Sequence, residues 1–120
     1  MGKKPRILIV DDSPHVRKAL SAFLSTLDWL KVVCEASDGE EALEKVESQT
    51  PDMILMDVRM PVLSGLDATR MIKKRWPGIK VIILTLYPDY QAQAQQAGAD
   101  AILIKGCSME EISSAIHSLN

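Results

Sequence analysis

Five polar residues stand where apolar runs stop. Ile7-Leu8-Ile9-Val10 ends in the adjacent acids Asp11 and Asp12. Met53 to Met56 ends in Asp57, Val81 to Leu84 in Thr85, and Ala101 to Ile104 in Lys105. Three carboxylates and one ammonium leave a surplus of two negative charges. Packed beside apolar strands, such a group raises the pKa of at least one acid through like-charge repulsion. A hard divalent cation with oxygen ligands removes that cost. Mg²⁺ takes one or two carboxylates, keeps several waters and shares its remaining position with a phosphate. The paired aspartates therefore read as the wall of a Mg²⁺ site. A hydroxyl and a flexible ammonium, Thr85 and Lys105, then suit an incoming phosphoryl group. Asp57 has the chemistry of a carboxylate nucleophile that forms an aspartyl phosphate.

The elements that must position these residues follow from hydropathy patterning. Ile7 to Val10 does not alternate, so it reads as a strand buried on both faces. Ser13-Pro14 opens a helix, serine as N-cap and proline at the first helical position. Val16, Leu20, Phe23, Leu24 and Leu27 give it an apolar stripe. Lys31 to Ala36 is a second strand, and Ser37-Asp38-Gly39-Glu40 has capping-box spacing before a helix with Ala42, Leu43 and Val46. Met53 to Met56 is a third strand, and the helix from Ser64 ends before Pro77-Gly78. Val81 to Leu84 is the fourth strand, and Asp89 to Ala97 is an Ala- and Gln-rich helix. Ala101 to Ile104 is the fifth strand. The last helix carries a core stripe of Met109, Ile112, Ile116 and Leu119.

Five βα units in succession mean an α/β fold with a parallel sheet and helices on both faces. Ligands of such sheets bind outside the carboxyl ends of the strands, where the strand order reverses. All five polar residues lie at carboxyl ends. The second strand ends in Ala36-Ser37 and contributes nothing comparable, as expected of a strand at the sheet edge.

Composition bounds the remaining possibilities. The chain has 120 residues, fitting one domain over 1–120, with 47% apolar and 25% charged residues. Its net charge is −2, which argues against nucleic-acid binding by this domain. The cluster Lys73-Lys74-Arg75 reads as a solvated helix end, favoured by the helix dipole. No apolar run is long enough to span a bilayer, and no signal peptide is apparent, so the cytoplasm is the expected compartment. Cys34 and Cys107 have no metal-site or redox spacing.

The chain resembles a receiver domain of bacterial two-component response regulators. "ILIVDDSPHVRKAL", "DGEEALE", "PDMILMDVRMPVLSGLDA", "VIILTLY" and "AGADAILIKG" match that family in order and spacing. The resemblance implies a flavodoxin-like five-stranded parallel sheet of order 2-1-3-4-5, for which a receiver is one of the standard examples. It implies that Asp57 is the phosphoacceptor, Asp12 a direct Mg²⁺ ligand, Asp11 the neighbouring acid, and the backbone carbonyl of Arg59 a further ligand. Thr85 and Lys105 would contact the phosphoryl oxygens, and the donor would be a phosphohistidine on a sensor histidine kinase. "LTLYPD" and "ILIKG" resemble the branch that precedes a helix-turn-helix output domain, which implies control of transcription. Phosphorylation could drive a homodimer through the outer side of the last helix or through the fourth helix. The chain would be either a stand-alone receiver or an excised one.

Three positions depart from the family pattern. Ile102 stands where the switch aromatic is usual, so the coupling to Thr85 is either absent or carried by Tyr87. Gly106 replaces a proline commonly found after the lysine. Leu86 is bulky where small residues are common, and is expected to slow small phosphodonors relative to a protein kinase. Arg59 adds a cation beside the site. Two other functions compete. A Mg²⁺-dependent phosphohydrolase would need His15, the nearest histidine, as its general acid or base. A phosphate-independent binding module would need none of the polar cluster. A flavin carrier is excluded because no Ser/Thr/Gly-rich phosphate loop follows the first strand.

Overall fold

The computed structural model describes residues 4–120. Five parallel strands alternate with five helices: β1 (Arg6–Val10), α1 (Pro14–Leu24), β2 (Lys31–Ala36), α2 (Gly39–Gln49), β3 (Met53–Met56), α3 (Gly65–Arg75), β4 (Lys80–Thr85), α4 (Gln91–Gln96), β5 (Ala101–Ile104) and α5 (Met109–Leu119). The sheet order is β2-β1-β3-β4-β5. β2 is therefore an edge strand, as its featureless carboxyl end suggested, and the order reverses between β1 and β3.

The unbroken apolar strands bury both of their faces because a core lies on each side. Leu8, Val10, Ile54, Met56, Val81 and Ile83 pack against Ala42, Val46, Ala68, Ile72 and Ala94 from α2, α3 and α4. Ile7, Ile9, Met53, Leu55, Ile82 and Leu84 pack against Leu20, Leu24, Ile112 and Ile116 from α1 and α5. The α5 stripe is thus core, with Met109 and Leu119 at its margins. Alternation within each strand decides which core a side chain joins.

Helix starts follow local hydrogen bonding. Ser13 and Ser64 cap α1 and α3 by accepting from the amides of Val16 and Asp67. Ser108 and Glu111 form a complete capping box on α5. At α2 the cap is Asp38, which accepts from the Glu41 amide, while the Glu41 carboxylate reaches back to Ser37. The N-cap thus sits one residue later than the Ser37-Glu40 spacing implied, and no reciprocal box closes, because Glu41 bonds Ser37 rather than the Asp38 amide. α4 is also shorter than its composition suggested, because Pro88–Tyr90 forms a 3₁₀ turn before it. Lys73 is not a solvated charge: its ammonium binds the carbonyls of Pro77 and Ile79 and pairs with Asp100 at 3.0 Å. Arg75 lies over the Trp76 ring.

The loop between β3 and α3 is held close to the sheet. The Gly65 amide donates to the Val58 carbonyl at 2.8 Å, and the Gly39 amide to the Leu63 carbonyl at 3.0 Å. A Cβ on Gly65 would collide with the Asp57 carbonyl, and one on Gly39 with the Leu63 carbonyl. Between them Val62 has φ 71°, a left-handed conformation unusual for a β-branched residue.

Candidate functional site

The carboxyl edge brings together the residues that the strand ends pointed to. β1 delivers Asp11 and Asp12, and β3 delivers Asp57. Each of these acids offers an oxygen within 4.8 Å of the other two. β4 delivers Thr85 and β5 delivers Lys105, adjacent because Thr85 pairs with Ile104 in the sheet. Asp11, Asp57 and Thr85 are buried, whereas Asp12 is exposed.

Lys105 is the charge centre. Its ammonium lies 2.8 Å from Asp11 Oδ2 and 3.3 Å from Asp57 Oδ1. Burial works against its charge, but hydrogen bonding to Asp11 and the charges of both acids outweigh that and hold its pKa above the ordinary value. Asp57 is the strained partner. Burial first, then the negative charge of Asp11, push its carboxyl up to about 6, against the opposing pull of Lys105 and of the Val58 amide.

Asp57 Oδ1 accepts from Val58 N–H at 2.9 Å and faces Lys105. Among the described residues Oδ2 has no such partner, and no fully buried side-chain oxygen is left unpaired. Oδ2 is therefore the open oxygen, free for a metal or an electrophile. Thr85 Oγ1 accepts from the Tyr87 amide at 3.1 Å, which leaves the hydroxyl proton to donate. Three carboxylates with one exposed member and one open oxygen suit a hard, water-keeping dication.

The remaining sequence positions fall around this centre. Arg59 lines a surface groove with Asp12, Met60 and Tyr90, and its guanidinium lies 4.7 Å from the Tyr87 ring centroid. Tyr87 meets Tyr90 edge-on at 5.9 Å. Ile102 packs partly buried against the α2–α4 core. Leu86 is 60% exposed next to buried Thr85. Gly106 has φ 100°, and no cis peptide occurs among the described residues. His15 is exposed on the first turn of α1 and makes no hydrogen bond or salt bridge among them. Cys34 and Cys107 are free, and burial raises both thiols above their ordinary pKa.

The Ser13 amide donates to Asp11 Oδ1 at 2.9 Å, so the acid supports the turn into α1 while Ser13 remains the N-cap. One further support was not legible in the sequence. Arg17 donates from Nη1 to the Asp11 carbonyl at 2.7 Å and pairs with Glu35 at 3.4 Å. β2 therefore does reach the site, through Glu35. The only available signal was a cation one turn into the helix that follows the acids.

An open parallel sheet of this order, with its polar cluster at the carboxyl edge, is the flavodoxin-like receiver architecture. The chain belongs to the response regulator receiver domain family, which it matches over residues 7–117. It is 40% identical to response regulator GacA of Pseudomonas viridiflava over 113 residues, which cover 92% of this chain and 53% of that protein. It is 37% identical to the transcriptional regulatory protein LnrK of Bacillus subtilis over 117 residues, 96% of this chain and 53% of that protein. It superimposes on the signal receiver domain of the response regulator NarL from Mycobacterium tuberculosis with a TM-score of 0.92 at 31% identity, covering 98% of this chain and 96% of that one. A LuxR-family response regulator from Aurantimonas gives a TM-score of 0.91 at 30% identity, covering 97% and 84%. The chain spans about half the length of the curated relatives it matches.

Proposed function

We propose that residues 1–120 form one receiver domain that acts as the phosphoacceptor switch of a cytoplasmic two-component system. The observation that carries this reading is the state of Asp57: buried, raised in pKa, anchored through Oδ1 and open at Oδ2. In the proposed reaction an Asp57 oxygen attacks the phosphorus of a phosphohistidine on a sensor histidine kinase. The new O–P bond forms as the P–N bond breaks, and the electron pair returns to the imidazole. The two remaining acids, Asp11 and Asp12, with Asp57 and the Arg59 carbonyl, would hold Mg²⁺. When bound, that ion would neutralise the acids and the phosphoryl oxygens. Lys105, already between Asp11 and Asp57, would turn to a phosphoryl oxygen, and Thr85 would donate its hydroxyl proton to another.

The added charge would shift a two-state equilibrium and alter a partner or dimer surface. By analogy with the transcriptional regulators it resembles, the domain would control transcription through an output domain, without itself binding nucleic acid. It is a signalling module rather than an enzyme acting on a separate small substrate.

The test is chemical mapping of the acceptor. The protein is incubated with Mg²⁺ and acetyl phosphate, reduced with borohydride, and digested for mass spectrometry. Homoserine at position 57, dependent on both reagents, is expected. Unmodified Asp57 after transfer has been attempted with both acetyl phosphate and a phosphorylated histidine kinase would overturn the proposal.

A further inference from the structure

The three acids of the site are not held equally. Asp11 is fixed by Lys105 and the Ser13 amide, and Asp57 by Lys105 and the Val58 amide. Asp12 is exposed, and among the described residues its carboxylate makes no hydrogen bond or salt bridge. Its restraint must come from the backbone that carries it. The peptide unit joining Asp11 to Asp12 is planar, so the direction of the Asp11 carbonyl sets where the Asp12 Cα departs. That carbonyl accepts from Arg17 Nη1 at 2.7 Å, and it has no other side-chain donor among the described residues. The same guanidinium pairs through Nε with Glu35 at 3.4 Å, with Arg17 only 18% exposed. A guanidinium is a rigid planar fork, so setting one nitrogen against Glu35 aims another at the carbonyl. On the strand side, the Asp11 amide donates to the Ala36 carbonyl at 3.1 Å, which pins the other end of the residue to β2.

We infer that Arg17, oriented by Glu35, is a positioning residue that holds the Asp11–Asp12 peptide plane and so presents the Asp12 carboxylate to a divalent cation. This inference rests on the Mg²⁺ reading above. Simple electrostatics points the other way: removing a cation near a dication should tighten its binding. Glu35 offsets most of that charge, whereas nothing replaces the hydrogen bond to the carbonyl. The positional effect therefore sets the sign.

Mg²⁺ affinity is measured by isothermal calorimetry for wild type, Arg17→Ala, Arg17→Lys and Glu35→Gln at low and high ionic strength. Urea denaturation in EDTA gives the stability of each. Ile116→Val serves as a control for destabilisation far from the site. Arg17→Ala should bind Mg²⁺ roughly tenfold more weakly, the size usual for loss of a group that orients a metal ligand. Arg17→Lys should fall between it and wild type, and Glu35→Gln should show a smaller loss. The loss should survive high salt, because geometry is not screened. Unchanged or tighter binding by Arg17→Ala would overturn the inference. So would an equal loss in Ile116→Val. If wild type itself binds no Mg²⁺, the metal reading fails and takes the inference with it. Wild-type binding with Arg17→Ala unaltered removes the inference alone.

Discussion

Replacing Asp57 with asparagine should stabilise the metal-free protein at alkaline pH and leave its stability near pH 4 almost unchanged. Asp57 titrates from about 6 in the folded protein, against an ordinary value of 3.8. The folded state therefore holds this proton more tightly than the unfolded chain does. The sign follows from linkage: stability from this group is complete below pH 4, declines as pH rises through the folded value, and is flat above about pH 7. The displacement corresponds to roughly 3 kcal/mol when the carboxylate is fully ionised. Asparagine copies the neutral form and escapes that penalty, so at pH 8 the variant should be more stable by about 2–3 kcal/mol. With a urea m-value of about 1–2 kcal/mol/M, its midpoint should rise by roughly 1–3 M.

The assay is urea denaturation in EDTA at pH 4 and pH 8. Trp29 packs against the α1–α5 core and Trp76 against the opposite one, so their combined fluorescence reports both layers. Saturating Mg²⁺ at pH 8 should narrow the gap, because a ligand at 100 times its Kd stabilises wild type by about 2.7 kcal/mol. A variant no more stable than wild type at pH 8, or a gap independent of pH, would refute the assignment of strain to Asp57.

Three further outcomes follow from the same geometry. Gly65→Ala should lower stability by about 3 kcal/mol in urea denaturation, because the new Cβ meets the Asp57 carbonyl and the helix start cannot stay where it is. Val62→Gly should raise stability by about 0.5–1 kcal/mol in a thermal melt, since the left-handed φ of 71° is relieved at the cost of some unfolded-chain entropy. Leu86→Ala should accelerate phosphorylation by acetyl phosphate several-fold without a matching change in transfer from a kinase, as followed by intact mass; equal rates for variant and wild type would show that the 60% exposed Leu86 does not obstruct the aspartate.

The strand ends make the site legible in the sequence itself. A parallel strand buried on both faces is an unbroken apolar run, so its last residue marks the sheet edge where polar groups must gather. That is why Asp11, Asp12, Asp57, Thr85 and Lys105 could be grouped by position alone. What escaped were contacts with no periodic signal. Arg17 and Glu35 meet across α1 and β2 at a sequence distance that no pattern reports. The shift of the α2 cap from Ser37 to Asp38 reflects two adjacent residues that both cap well, with the Glu41 carboxylate deciding between them. Lys73 looked solvated because its partners, the Pro77 and Ile79 carbonyls and Asp100, lie beyond its own helix. The shortened α4 follows from Pro88 and from a sequence rich in Gln and Ala, which offers only Ala94 to the core.

The most direct test of the switch is the intact mass of the protein after incubation with acetyl phosphate, with and without Mg²⁺, for wild type and Asp57→Ala. One added phosphoryl group on wild type is expected, absent without Mg²⁺ and absent in the variant. An adduct of equal yield on Asp57→Ala, or one indifferent to Mg²⁺, would contradict the placement of the chemistry at the acid cluster.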